Sequence, residues 1–518
     1  MMMKQGIKIR ILTMVLGFVS TALWAEVRLP SIFTDNMVLQ QNTNARFWGT
    51  SDPQEKITIY ASWGSELNVS ADREGKWSVE VPTPAGSHTP QQLIFKGTNT
   101  VYLKNVLIGE VWLCSGQSNM GWPVKQSTNS YEEIKKADYS SIRFFHIPLT
   151  MAWEPRDDVD AKWEICTPES AANKSAVAYF FGRKLLQELD VPIGLIQSAW
   201  GGSDAQAWID KETAQMEGLQ NIVDWYHAHE QEFKASRFKW NKAVAEWRAK
   251  QPEGKPLDYS TRPQRDKIPG DNHMPFGLFN AMIHPIKTFS IKGAIWYQGE
   301  SNVGRAHQYR TLFPAMIKSW RRAWDQGDFP FFFVQLAPFH YGDFNGVASA
   351  ELRDAQVKTL DLVKHTGMVV TTDIGNVQDI HPRKKREVGD RLALLALQDY
   401  GRLDQGYSSP FYKSHRINGN SLIIDFEHAQ GLKISRGSTI EGLTISGKNK
   451  KFVTAKGEII EGNRLKVWSD AIKRPVAVRF GWSNAPFVNL FNEANLPLSP
   501  FKTDDWKDTT EGKNFREY

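Results

Sequence analysis

The sequence predicts an α/β protein, in which a parallel sheet covered by helices on both faces is flanked at each end by β-rich segments. Three observations carry this expectation. Between about residues 106 and 404, apolar runs of strand length alternate with runs of helical period, the pattern of a parallel sheet with crossover helices. Residues 26 to about 105 hold short, partly alternating runs separated by Gly, Pro, Asn and Asp, as in a small sandwich. After about 405 the chain returns to short β-like runs. The predicted organisation is a leader at 1–25, an N-terminal β-sandwich-like domain at 26–105, a core at 106–404 with a helical insertion at about 211–265, and a C-terminal β-rich region at 405–518.

The leader comes first. Lys4, Lys8 and Arg10 precede the apolar run ILTMVLGFVSTALW, which closes on the small residue Ala25. This is the charged, apolar, small-residue order of a signal peptide, too short to span a bilayer comfortably. It predicts export to the periplasm or the extracellular space. The N-terminal domain follows with RFWGT, KITIYAS, WSVEVPT and QLIFKG as strands. In the core, VLIGEVWLCS, VPIGLIQSAW, IKGAIWYQG, FPFFFVQLA and GMVVTTDIG read as buried strands. SAVAYFFGRKLLQEL is a helix because Val177, Phe181 and Leu185 recur at one-turn spacing. YRTLFPAMIKSWRRAW (despite Pro314), AELRDAQVKTLDLV and VGDRLALLALQDY are the other core helices. The insertion is polar, rich in aromatics and helical in KWNKAVAEWRAK. SLIIDF, GLKIS, LTISG, RLKVWS and VAVRFGW are the C-terminal strands.

Composition narrows the function classes. The formal charge is +6; removing the three leader cations leaves +3 spread over the chain, which argues against a nucleic-acid partner. The single basic run, Arg383 to Arg386, reads as the solvated start of a helix. No window after the leader is apolar enough for a membrane span. Cys114 and Cys166 are too few for a disulfide scaffold, and Cys114, ending an apolar strand, reads as a small buried hydrophobe. His146, His273 and His284 lack metal-like spacing, so no metal and no cofactor is expected. The 19 tryptophans hint at carbohydrate, because indole faces stack on sugar rings.

Ligands of open α/β sheets bind beyond the carboxyl ends of the strands. There the sequence delivers Ser118 after VLIGEVWLC, Gly201 and Gly202 after VPIGLIQSAW, Gln298, Glu300 and Asn302 after IKGAIWY, and Asp379 with His381 after GMVVTTDIG. Together they are the parts for serine acyl transfer. A hydroxyl attacks a carbonyl effectively only when a base takes its proton, and histidine titrates near the working pH. A carboxylate can orient the imidazole. Glycine lets a backbone N–H approach the developing oxyanion without a Cβ in the way. Trp122, Gln117 and Glu300 adjoin the serine or the strand ends and are the candidate substrate contacts.

In order along the chain, SGQSNM, QSAWGGS, WYQGESN and DIHP resemble the blocks of the SGNH/GDSL hydrolases, and more closely those of the sialate O-acetylesterase family and its bacterial secreted relatives. LPSIFTDNMVLQQ, NAMIHP and RFGWSNAPFVNLFNEANLPLSPF extend the resemblance across the mature chain. It implies a three-layer α/β/α hydrolase core and removal of acetyl groups from an O-acetylated sugar or glycan. It implies Ser118 as nucleophile and His381 as base. It also implies an oxyanion hole of the Ser118 N–H, a glycine N–H (Gly201 before Gly202) and an amide side chain, either Gln298 or Asn302. The usual acid three residues before the histidine is absent, since position 378 is glutamine. Asp379 is the first choice; Asp373, Glu300 or a backbone carbonyl are the alternatives. Acetylated xylan or another plant polysaccharide is the rival substrate, and a non-catalytic carbohydrate-binding scaffold is the rival class.

Overall fold

The computed structural model describes residues 26–251, 259–263, 270–342, 346–403 and 407–515. The leader lies outside them, as does part of the insertion. The core is a parallel sheet built from β1 (Thr100–Gly116), β2 (Tyr139–His146), β3 (Trp163–Cys166), β4 (Ile193–Ala199), β5 (Gly293–Tyr297), β6 (Phe331–Val334) and β7 (Thr366–Val369). Their order is β7-β6-β5-β1-β4-β2-β3, with only the β2–β3 pair antiparallel. The chain therefore winds outward from β1 in both directions. The crossover from β4 to β5 passes β1, so a topological switch point lies at the exits of β1, β4 and β5.

The helices are α1 (Ser118–Gly121), α2 (Ala176–Leu189), α3 (Gln220–Ala249), α4 (Ala306–Trp324), α5 (Ala348–Leu362) and α6 (Lys385–Asp399). Strand alternation sorts them into two layers. Val111, Leu113, Ala294, Trp296, Phe331 and Phe333 face α4 and α5, packing with Leu312, Phe313 and Leu352. Trp112, Cys114, Ile295, Tyr297, Phe332 and Val334 face α2 and α6, packing with Phe181, Leu185, Val388 and Leu392. With both faces covered, the central strand segments 111–114, Gly293–Tyr297 and Phe331–Val334 are apolar, as a doubly covered sheet requires. Cys114 and Cys166 are free and buried, one at the end of an apolar strand as expected.

The N-terminal layers adjoin this sheet directly. Asn44–Thr50 pairs with Lys76–Pro82, while Lys56–Ala61 pairs with Ser65–Ser70 and Ser87–Lys96. Phe47, Trp77 and Phe95 fill the space between the two layers. Ser87–Lys96 then pairs antiparallel with the first half of β1, whose second half pairs parallel with β4 and β5. β1 thus runs through the boundary at 105/106 read from the sequence. Beyond 407, two four-stranded sheets share a core of Leu422, Ile445, Leu465, Val467 and Phe480. Asn484 ties this region to α5 through Ser349 and the fully buried Arg353. In the insertion, α3 spans Gln220–Ala249, longer than the helical stretch read from the sequence. Among the described residues no helix is long and apolar enough to cross a membrane.

Candidate active site

The site begins at the exit of β1. Gly116 sits between β4 and β5, its carbonyl accepting from Trp200 N at 3.0 Å, while Gln117 N donates to Tyr297 O at 3.0 Å. Gly116 has φ +139°, and a Cβ there would lie 2.2 Å from Tyr297 O. Only glycine lets the backbone pass so close and turn at once. The next residues wind into α1, with Met120 N and Gly121 N donating to Gln117 O. Ser118 opens this turn, so its N–H has no intrahelical acceptor, and its hydroxyl is directed at His381.

His381 arrives from the loop between β7 and α6. Its Nε2 lies 2.8 Å from Ser118 Oγ, although the two residues are 263 positions apart. The imidazole stacks on Trp122, ring centroids 4.7 Å apart and planes 18° from parallel. Trp122, expected as a sugar platform, therefore gives one face to the histidine and acts as its wall. Burial, and secondarily the nearby Lys385 ammonium, holds the His381 imidazole below the usual histidine range against the opposing pull of Asp379. The environment thus favours the neutral imidazole, the form that can accept the serine proton.

Asp379 lies close to the histidine but bonds to its backbone. Its Oδ1 accepts from His381 N at 2.9 Å and stands 3.8 Å from Nδ1, beyond hydrogen-bond reach. Asp379 shapes the loop and adds negative charge beside the ring. Asp373 is not the acid: Arg391 holds both of its oxygens, at 2.8 and 2.6 Å.

Gly201 comes against the nucleophile, and a Cβ on it would lie 3.3 Å from Ser118 Cβ. This brings its backbone beside the Ser118 N–H, as an oxyanion pair needs. The two amide candidates for the oxyanion hole are engaged with the surrounding loops. Gln298 Nε2 donates to Ser203 O and Asn302 Oδ1, and Gln298 Oε1 accepts from Tyr309 Oη. Asn302 Oδ1 also accepts from Ala205 N, and its Nδ2 donates to Gln206. Both amides are spent on holding the loops after β4 and β5 together. Gln117 plays a similar part, its Oε1 accepting from Gly299 N and Ser301 N at 3.3 and 3.4 Å.

Glu300 is buried behind the nucleophile rather than open to a ligand. Its Oε1 accepts from Asn119 Nδ2, and burial raises its carboxyl above the ordinary range. Asn119 and Lys385 are the residues that sequence reasoning missed. Asn119 is fully buried, and its Oδ1 accepts from Lys385 Nζ. Lys385 is 1% exposed, so the basic run is not wholly solvated. Its neighbours Arg383 and Arg386 do lie at the surface, on Gln126 O and Glu133.

An α/β/α fold with a serine hydroxyl 2.8 Å from an imidazole at its strand ends has the arrangement that serine acyl transfer uses. A family model described as carbohydrate esterase, sialic acid-specific acetylesterase, matches residues 108–238 and 272–398. A solved carbohydrate acetylesterase from Xanthomonas citri is 34% identical with a TM-score of 0.79, covering 93% of this chain and all of that one (100%). Mouse sialate O-acetylesterase is 29% identical, covering 96% of this chain and 98% of the mouse protein. The human enzyme is 28% identical over 94% and 96%. The chain belongs to the sialic acid-specific acetylesterase family of carbohydrate esterases and is a carbohydrate O-acetylesterase.

Proposed function

We propose that the protein is an exported sialate O-acetylesterase acting through an acyl-enzyme on Ser118. The 2.8 Å contact between Ser118 Oγ and His381 Nε2 carries this reading. Ser118 attacks the acetyl carbonyl as its proton passes to His381 Nε2. The N–H groups of Ser118 and Gly201 receive the oxyanion. Collapse breaks the ester bond, and His381 returns the proton to the sugar oxygen. Water, deprotonated by His381, then releases acetate and frees Ser118. Asp379, beside the imidazole, stabilises its cationic form through space.

Sialic acid is favoured because the mouse and human relatives, aligned over nearly their full lengths, are named for it. Acetate release should be at least ~10-fold faster in kcat/KM on a 9-O-acetylated sialoglycan than on acetylated xylan, a margin that a shaped pocket supplies. The reverse ranking would make the protein a plant-polysaccharide esterase. The charged and apolar order of residues 1–25 supports export to the periplasmic or extracellular fraction, and activity confined to the cytoplasm would sink export. The acid limb follows from the His381 environment. Only the neutral imidazole accepts the serine proton, and its pKa is lowered. A profile of kcat/KM against pH should therefore decline with acidification at a midpoint below about 6.5, the ordinary histidine value. A midpoint above that value would contradict the environment described here.

A further inference from the structure

One cluster of charged and polar side chains beneath the site has no part in the chemistry above. Lys385, Asn119 and Glu300 are 1%, 0% and 9% exposed. Burying an ammonium and a carboxyl beside a reaction centre is costly unless their hydrogen bonds are met. Asn119 gives each of them one partner, while Glu300 Oε2 is buried with none among the described residues. Asn119 Oδ1 accepts from Lys385, and its Nδ2 donates to Glu300 Oε1. The same Nδ2 donates to Ile380 O at 2.9 Å, and Ile380 is the residue immediately before His381. One amide thus joins the nucleophile turn, the end of β5, the start of α6 and the histidine loop.

Lys385 also reaches the imidazole through its wall. Its Nζ lies over Trp122 at 5.8 Å and over Tyr297 at 5.3 Å, and Trp122 is the ring on which His381 stacks. The groups facing His381 are Ser118 and Trp122 from the nucleophile segment, Asp379 from its own loop, and Lys385 from α6. Glu300 from the β5 exit and Asp379 counter the lysine charge.

We propose that Asn119 and Lys385 are positioning residues for His381. Asn119 fixes the carbonyl before it, and Lys385 anchors Asn119 and stands behind the Trp122 wall. This rests on the esterase reading. The far side of the loop is secured separately, by Thr128 N on Arg383 O and Arg383 Nε on Gln126 O, so loosening Asn119 leaves the loop attached.

The test combines kinetics and active-site labelling of the full chain. Lys385→Met should raise the midpoint of the acid limb by about one pH unit, the order of effect of losing one nearby charge at an effective dielectric near 20. Lys385→Arg should restore it. Asn119→Ser should lower kcat ~10-fold with KM within about twofold, the mark of a misplaced base rather than a lost contact. Should Lys385→Met fail to fold, Asn119→Ser decides. A folded Lys385→Met with an unmoved midpoint, or Asn119→Ser with full kcat, overturns the inference. A fluorophosphonate that labels wild-type Ser118 while the variants behave as wild type sinks the inference alone. Wild-type protein that is not labelled sinks the esterase reading and this inference with it.

Discussion

Replacing Ser118 with alanine is expected to lower kcat for acetyl-ester hydrolysis by ~10⁴–10⁶-fold, the range measured when the nucleophile of a serine hydrolase is removed. The reason is specific to this arrangement. His381 Nε2 has Ser118 Oγ as its partner at 2.8 Å, and without that oxygen it can only direct water at the ester, with no covalent intermediate. KM should change little, because the hydroxyl is one small group among the sugar contacts. Ser118 is half-buried and its hydroxyl is a small group whose partner is His381, so the melting temperature should stay within about 2 °C. Acetate release with purified Ser118→Ala beside wild type is the measurement. Wild-type turnover in the variant would remove Ser118 from the mechanism.

Gly116→Ala should produce a large loss of stability from a single methyl group. The added Cβ would meet Tyr297 O at 2.2 Å, well inside van der Waals contact, and φ +139° is itself strained for alanine. Tyr297 is 1% exposed on β5, paired with Gly116 itself, so neither strand can yield without disturbing the sheet. Overpacking costs about 1–3 kcal/mol and the backbone strain adds about 1–2 more. A fall of roughly 5 °C or more in the melting temperature is expected. Activity should fall as well, because Ser118 follows two residues later and a shift of about 1 Å can cost ~10²-fold. A Gly116→Ala protein that melts and turns over like wild type would mean that β1 and β5 do not approach as described.

The alternation of strands and helices was legible because both faces of the sheet are covered, which leaves long apolar runs such as VLIGEVW. Ser118 and His381 were legible because each follows such a run inside a turn rich in polar and glycine residues. The amides were less so. Gln298 and Asn302 follow a strand as an oxyanion donor would, but their 2.7 Å bond to one another depends on the fold of the loop between them. Lys385 was hidden in a run of four cations that resembles a wetted helix start. Its phase could have revealed it, since Lys385, Val388, Leu392 and Leu395 recur at turn spacing and all face inward. Asp379 illustrates the reverse limit. Its proximity to His381 in sequence was a guide to proximity in space, but not to which nitrogen it would bind.

β1 has a further implication for how this architecture can be varied. Since Thr100–Gly116 is zipped to Ser87–Lys96 along its first half and to β4 and β5 along its second, residues 26–99 are not a detachable accessory. A protein begun near residue 106 would start in mid-strand and expose an unpaired flank on the ribbon that delivers the nucleophile. Swapping that portion with another sandwich, as modular enzymes allow, would require a graft made within the ribbon and in register.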